Sequence, residues 1–342
     1  MTTLEVRGLT KDFSIRSGLR HSRFRAVDNV SFTLTPGRTV ALVGESGSGK
    51  STVARMIARL EKPTAGGITA TGPDGRRVAD RAYRDHVQMV FQDPFASLNP
   101  FHTVEHHLAR PLKLHGRARG KAEVAQKVEQ LLERVNLTPA ADIAQRRPHE
   151  LSGGMRQRVA IARALAPGAQ VVIADEPVSM LDVSIRLGVL NLLARLQRED
   201  GLAVLYITHD LATARHFSDD ILVMYRGRVV ERGPADEVIL NPQHPYTRIL
   251  AAAAPNPDAR DRARLTEALG IEPAGGSTLP GDDPGCTFRD RCPKAFEACT
   301  RMPEDFAVGY DHYAKCWLHS GGDFAGSAAR AARPAAGGSA TA

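Results

Sequence analysis

The 342-residue chain lacks any apolar run near the roughly 18 residues that a membrane-crossing helix requires, so no segment is expected to span a bilayer by itself. Its first residues, Met-Thr-Thr-Leu-Glu-Val, show no charged and apolar export signal and enter a strand pattern at once, which predicts a cytoplasmic protein. Cysteine is scarce: four occur, all beyond residue 285, and a cytoplasmic address argues against structural disulfides. The net charge is +7, but the basic residues are scattered. The densest stretch, Arg16 to Arg25 with Arg20 and Arg23 between, falls in an expected loop without a series of interleaved aromatics, so nucleic acid is not an expected partner. What remains, 24% charged and 42% hydrophobic residues, describes an ordinary folded protein long enough for about two domains.

Residues 3 to 9 and 26 to 34 alternate like half-buried antiparallel strands with a loop between them. Thr39 to Val43 is instead continuously apolar and ends in glycine, the pattern of a buried parallel strand. Short apolar runs recur at 87 to 91, 171 to 174, 203 to 208 and 221 to 224, separated by helical stretches, which predicts an α/β fold with a parallel sheet. Between Phe95 and Glu150 helical periods take over, through Val124, Val128, Leu131, Leu132 and Val135, and predict an inserted helical subdomain at about 96–155. Ile185, Val189, Leu192, Leu193 and Leu196 share one face of a helix over 183–199 and are expected to be core. Beyond Pro242 proline, glycine and cysteine rise, and 321–342 is a Gly/Ala/Ser-rich stretch expected to be disordered.

Two stretches carry the chemistry. Gly44-Glu-Ser-Gly-Ser-Gly-Lys50-Ser51-Thr52 follows a strand, precedes a helix and fits GxxxxGK[ST], whose backbone N–H groups cradle phosphates. Alone the motif indicates some P-loop NTPase: Gly44, Ser46, Gly47, Gly49, Lys50, Ser51 and Thr52 are expected to bind the phosphates of its nucleotide, with Lys50 neutralising the β and γ phosphates and Ser51 holding Mg²⁺. About a hundred residues on lies Leu151-Ser-Gly-Gly-Met155. The two together resemble the ATPase subunits of ABC transporters, whose fold is a P-loop (RecA-like) parallel sheet with an antiparallel β subdomain and an inserted helical subdomain. The resemblance implies a nucleotide-sandwich dimer in which Ser152, Gly153 and Gly154 of one subunit offer donors to ATP held by a second, identical or homologous ATPase subunit.

It also implies roles for the remaining positions. Asp175 and Glu176 end the run Val171 to Ala174. Asp175 matches the Mg²⁺-holding aspartate, and Glu176 the general base that polarises water. His209, just after the run 203 to 208, resembles the switch histidine that contacts the γ-phosphate, and Gln92 the glutamine that senses Mg²⁺ and nucleotide while touching the membrane subunits. Asp182, in Ser-Met-Leu-Asp, matches a loop that runs between the two sites. For the stack on the adenine base Phe13 is the first candidate and Phe24 the second, either of which could equally be core. Two positions depart from the superfamily pattern: Met155 where glutamine is common and Met180 where alanine is common. Neither removes a catalytic group, so a working ATPase is expected.

Phe91-Gln-Asp-Pro-Phe-Ala-Ser-Leu-Asn-Pro100 and Asn241-Pro-Gln-His-Pro-Tyr-Thr-Arg-Ile-Leu250 narrow the resemblance to the oligopeptide/dipeptide importer branch, over about residues 3 to 318. That implies an ATPase domain over 1–240 and a C-terminal region of this type over 241–320. It further implies a position on the cytoplasmic face of the membrane, two transmembrane permease subunits, and an extracytoplasmic substrate-binding protein. The cargo stays open among peptides, nickel chelates, glutathione and oligosaccharides. Cys286, Cys292, Cys299 and Cys316 are spaced C-x5-C-x6-C-x16-C, counted from their numbers. Four thiolates suit iron–sulfur or zinc, zinc sites usually pairing cysteines more closely, with plain reduced thiols as the third reading; a similar cysteine set in this branch is described as a 4Fe-4S site. A soluble ABC ATPase acting on DNA or ribosomes usually carries tandem motors or coiled-coil arms. Here there is one motif set and no heptad arm.

Overall fold

The computed structural model describes residues 1–17, 20–253 and 284–321. The tail expected over 321–342 lies, but for its first residue, outside the described residues. The chain opens with β1 (Thr3–Ser17) and β2 (Arg20–Leu34), then β3 (Thr39–Val43), α1 (Lys50–Ile57) and β4 (Ala65–Thr71). A helical stretch follows, interrupted early by one strand: α2 (Tyr83–His86), β5 (Val87–Val90), α3 (Pro94–Ser97), α4 (Val104–Leu114), α5 (Lys121–Arg134), α6 (Ala140–Gln145) and α7 (Gly153–Leu165). Strands and helices then alternate through β6 (Val171–Asp175), α8 (Val183–Asp200), β7 (Ala203–Thr208), α9 (Leu211–Phe217), β8 (Asp220–Tyr225) and β9 (Arg228–Pro234). The described chain closes with α10 (Ala235–Leu240), α11 (Pro245–Ala253), β10 (Phe306–Gly309) and β11 (His312–Ala314).

The main sheet runs β10-β11-β9-β8-β3-β7-β6-β5. Pairs from β8 to β5 are parallel, while β9 and β11 add antiparallel edges. The central strands are buried on both faces, and their period of two sorts the side chains into two cores. Val40, Leu42, Val171, Ile173, Leu205 and Ile207 face one layer, which includes α1 and the small sheet β2-β1-β4. Ala41, Val43, Val172, Ala174, Val204 and Tyr206 face the other, with the helices α4 to α8. On α8, Val189, Leu192, Leu193 and Leu196 are buried and Ile185 is partly buried, so the expected core face is the packed face. The strand β3 sits between β7 and β8, where the connections reverse direction, so a crevice opens beyond its C-terminal end.

One expectation is corrected. The basic stretch is strand over Arg16–Ser17 and Arg20–Arg25, part of a hairpin in which β1 and β2 pair from Leu4↔Leu34 to Ser17↔Arg20. Opposite charges across the ladder help to sustain it: the Asp12 carboxylate takes Arg25 at 2.8 Å and Arg23 at 3.5 Å. The Arg25 hydrogen bond holds the Asp12 carboxyl below its ordinary range. Phe13 lies opposite Phe24 in the same ladder, half-buried, with Lys11 Nζ 4.9 Å from its ring centre.

Candidate active site

The loop from Gly44 to Gly49 leaves the crevice end of β3 and delivers the chain into α1. Its glycines have separate reasons to be glycine. Gly49, at the helix N-cap, holds φ +104°, and a Cβ there would stand 2.4 Å from the Ala26 carbonyl oxygen. At Gly44 a Cβ would stand 2.1 Å from the Met224 carbonyl oxygen, so the loop starts pressed against β8. No L side chain fits either place without moving backbone.

Lys50, 5% exposed, donates from Nζ to the Gly44 and Glu45 carbonyl oxygens, both at 2.8 Å. Burial lowers its pKa, and the carboxylates of Glu176, Asp175 and Glu45 oppose that shift. Ser51 Oγ donates to Asp175 Oδ1 at 3.1 Å, joining the first turn of α1 to the end of β6. Asp175 is 5% exposed and its carboxyl is pushed above the usual range, chiefly by burial, with the neighbouring Glu176 adding to the shift and the Ser51 hydroxyl opposing it. A buried carboxylate and hydroxyl in contact, with an ammonium close by, are the ligands and charge balance that a hard divalent cation on a phosphate would use.

Glu176 follows directly and is bent into positive φ, +44°, with its N–H held by the Ile207 carbonyl at 2.9 Å. Such a backbone costs on the order of 1–3 kcal/mol for a non-glycine residue and persists only where surrounding structure enforces it. Glu176 Oε2 accepts from Gln92 Nε2 at 3.2 Å and stands 3.3 Å from His209 Nδ1. Gln92 comes from the end of β5 and His209 from the end of β7, so three strand ends converge on one oxygen. Ser51, Gln92 and Asp175 also line a cleft of about 920 Å³, which runs on past His102, His106 and Arg163 of the helical side.

The signature stretch stands apart from this group. Ser152 caps α7, its Oγ accepting from the Met155 N–H at 3.3 Å. Gly154 is held close to α8: a Cβ there would meet Ile185 Cγ2 at 2.5 Å. Asp182 is exposed at the start of α8 and its backbone carbonyl accepts from Ile185 and Arg186. Ser152 and Asp182 are exposed and Gly153 is partly so, whereas Gly154 is buried.

Sequence reasoning missed a second set of partners on the phosphate loop. Glu45 is gripped through its N–H by Tyr246 Oη at 3.0 Å, and through both carboxylate oxygens by Arg291, at 3.0 and 3.2 Å. Tyr246 belongs to α11, within a segment singled out only for its resemblance, and no spacing in the chain points to Arg291.

Arg291 sits among the cysteines. Cys286, Cys292, Cys299 and Cys316 are all free thiols and line one small cavity with His244, Phe288 and Trp317. Burial raises the pKa of Cys286 and Cys292 and pushes Cys316 up to about 11. Among the described residues no group of three or more His, Cys, Asp or Glu is arranged to hold a metal ion. The four sulfurs nevertheless line a single pocket.

Comparison with known proteins finds two matching families. Residues 27–179 match the ABC transporter family and 230–299 the oligopeptide/dipeptide transporter C-terminal region. The chain is 44% identical over 328 residues to the oligopeptide transport ATP-binding protein AppF of Bacillus subtilis, covering 93% of this chain and 98% of that one. It is 44% identical over 313 residues to the di/tripeptide transport ATP-binding protein DppF of Pseudomonas aeruginosa, covering 89% of this chain and 94% of that one. Among solved structures, the dimeric ATP-binding cassette MJ0796 in a post-hydrolysis state with ADP and Pi is 31% identical with a TM-score of 0.57, covering 68% of this chain and 98% of its own.

Proposed function

The chain belongs to the ABC transporter ATPases, among the oligopeptide and dipeptide transport ATP-binding proteins, and we propose that it is the motor subunit of a peptide importer. ATP hydrolysis is the family's activity, and Mg²⁺ is the metal that phosphoryl transfer of this kind uses. The observation that carries the assignment of roles is the meeting of Gln92 and His209 on Glu176 Oε2, beside the Ser51–Asp175 pair and Lys50.

In this reading the amides of Ser46, Gly47, Gly49, Lys50, Ser51 and Thr52 hold the phosphates, and Phe13 stacks on the base. Ser51 and Asp175 would hold Mg²⁺, which would supply positive charge against the charge that develops on the phosphates. Glu176 takes the proton of the attacking water. Gln92 keeps the Glu176 carboxylate aimed and His209 positions the water against the γ-phosphate. Lys50 exchanges its two carbonyl partners for phosphate oxygens, a trade that favours its charged form. Ser152, Gly153 and Gly154 complete the site of a second ATPase subunit, and Asp182 lies along that interface.

Closure of the two subunits pulls on two permease subunits seated at the cleft beside Gln92, and hydrolysis with product release reopens them. That places the protein on the cytoplasmic face of the membrane, with a substrate-binding protein on the other side. Among the described residues no helix is long and apolar enough to cross the membrane, which fits attachment through partners. The chain divides, on this reading, into a motor over 1–240, with helical insertion at about 96–155, and the cysteine-bearing region over 241–320.

For the four cysteines we propose a resident metal group, iron–sulfur first and zinc second. Four free thiols on one cavity, a soft donor set, support it. Iron with inorganic sulfide in anaerobically prepared protein is the expected result. Stoichiometric zinc selects the alternative, and the absence of both metals removes the proposal.

Uptake of labelled oligopeptides and oligosaccharides by cells carrying Lys50→Ala tests the transport assignment. Loss of peptide uptake alone is expected. Loss of sugar uptake alone overturns the peptide cargo, and undiminished ATP binding by the variant overturns the site.

A further inference from the structure

Glu45 lies inside the loop that receives the phosphates, and its carboxylate is one of three that act on the Lys50 ammonium. An acidic side chain there opposes the approach of ATP, which carries several negative charges. The chain answers it with a cation from 246 residues away, the difference between positions 291 and 45. Arg291 closes on Glu45 with two nearly parallel N–H···O bonds, at 3.0 and 3.2 Å, the fork geometry that planar guanidinium and carboxylate share. Its Nη1 also reaches Tyr225 Oη at 3.4 Å.

The guanidinium is itself anchored. Arg291 ends a short 3₁₀ turn, Arg289–Arg291, that leads directly into Cys292, and its backbone N–H is held by the Phe288 carbonyl at 3.0 Å. Phe288, 1% exposed, packs edge-on against Tyr225 at 5.2 Å and tilted against Tyr246 at 5.5 Å. Tyr246 in turn hydrogen-bonds the Glu45 N–H. Glu45 is therefore held at its side chain by Arg291 of the cysteine-rich region and at its backbone by Tyr246 of α11, and Phe288 packs between the two regions.

We infer that the cysteine-rich region acts on ATP binding, with Arg291 as a positioning residue that neutralises Glu45 and seats the phosphate loop. The inference rests on the assignment of the loop as the ATP site. ATP affinity then depends on whether the 286–292 turn is in place, and a change at the cysteine pocket reaches the nucleotide through Arg291.

The sign of the effect separates this from plain structural support. Arg291→Gln leaves Glu45 uncompensated, so Mg-ATP should bind about tenfold more weakly, within the usual range for loss of a charge-assisted pair. Adding Glu45→Gln to the same chain removes the repulsion and should restore most of that affinity, although no guanidinium has returned. Arg291→Lys, which keeps the charge and loses the fork, should fall between. Binding of Mg-ATP to the full chain is measured by titration calorimetry, and the thermal midpoint without nucleotide checks folding. The inference is overturned if Arg291→Gln binds ATP like wild type, or if the double variant binds as weakly as Arg291→Gln alone. Lys50→Ala, measured alongside, must lose binding; if it does not, the fault lies with the ATP-site assignment and not with Arg291.

Discussion

Glu231 is 1% exposed on β9, and its carboxylate meets three donors: the N–H groups of Gln243 and His244, each at 2.8 Å, and His312 Nε2 at 2.8 Å. It ties β9 at once to the start of α11 and to β11, so it moors the C-terminal region to the motor. Glu231→Gln preserves shape and removes one acceptor oxygen. Turned with its NH₂ toward His244, the amide faces a buried N–H that it cannot satisfy. Turned the other way it can donate to His312, but then the Gln243 N–H is stranded. Either orientation loses one charge-assisted bond and orphans one backbone donor, a cost of about 2–4 kcal/mol. Urea unfolding should show that loss, and hydrogen exchange should show faster opening at residues 243 and 244 than at β3. Because Tyr246 lies two residues beyond His244, weaker Mg-ATP binding should accompany the loosening. A variant within about 0.5 kcal/mol of wild type, with unchanged exchange at 243 and 244, would refute the mooring.

Glu176→Gln should keep ATP binding, lower turnover by about 10²–10⁴-fold, as expected on losing a general base, and trap a closed dimer visible by size-exclusion chromatography with ATP; normal turnover would remove Glu176 from that role. Gly154→Ala places a methyl 2.5 Å from Ile185 Cγ2 and should cost about 1–3 kcal/mol, and Ile185→Ala in the same chain should cancel that extra cost in a double-mutant cycle. Asp175 has a folded pKa above its unfolded one, so the folded chain binds the extra proton and stability falls as pH rises through the window between the two values. Asp175→Asn should therefore melt higher than wild type at neutral pH without nucleotide, with the gain shrinking as pH falls toward the ordinary carboxylate range, while Mg²⁺-dependent ATPase activity is lost. A variant that melts lower at neutral pH would contradict the burial argument.

The parts of the molecule readable from its sequence are those governed by local patterns. Continuous apolar runs marked β3, β6 and β7 because both faces of a parallel sheet are covered, and the apolar period placed the buried face of α8 on Val189, Leu192, Leu193 and Leu196. The far half of the β1–β2 hairpin was hidden, since it is sustained by Asp12 against Arg23 and Arg25, a polar pattern that reads as loop. Gly154 could be assigned from its motif as an offer of backbone donors, but only the packing shows that Ile185 leaves no room for a side chain there.

Glu45 shows the limit most clearly, because everything about it that matters is set by residues that no local window contains. In the sequence it fills a variable position of GxxxxGK[ST], where any residue is allowed. In the fold its N–H goes to Tyr246 and its carboxylate to Arg291, so the position is chemically committed. The two partners lie in the segment that distinguishes this branch from other P-loop ATPases by resemblance. An acidic residue in a phosphate-binding loop repels the phosphates it faces, and here the Arg291 guanidinium lies against it. On the inference drawn for Arg291 the loop and the C-terminal region are a matched pair: grafting this loop onto a motor without an Arg291 equivalent should carry over the repulsion and leave its compensation behind.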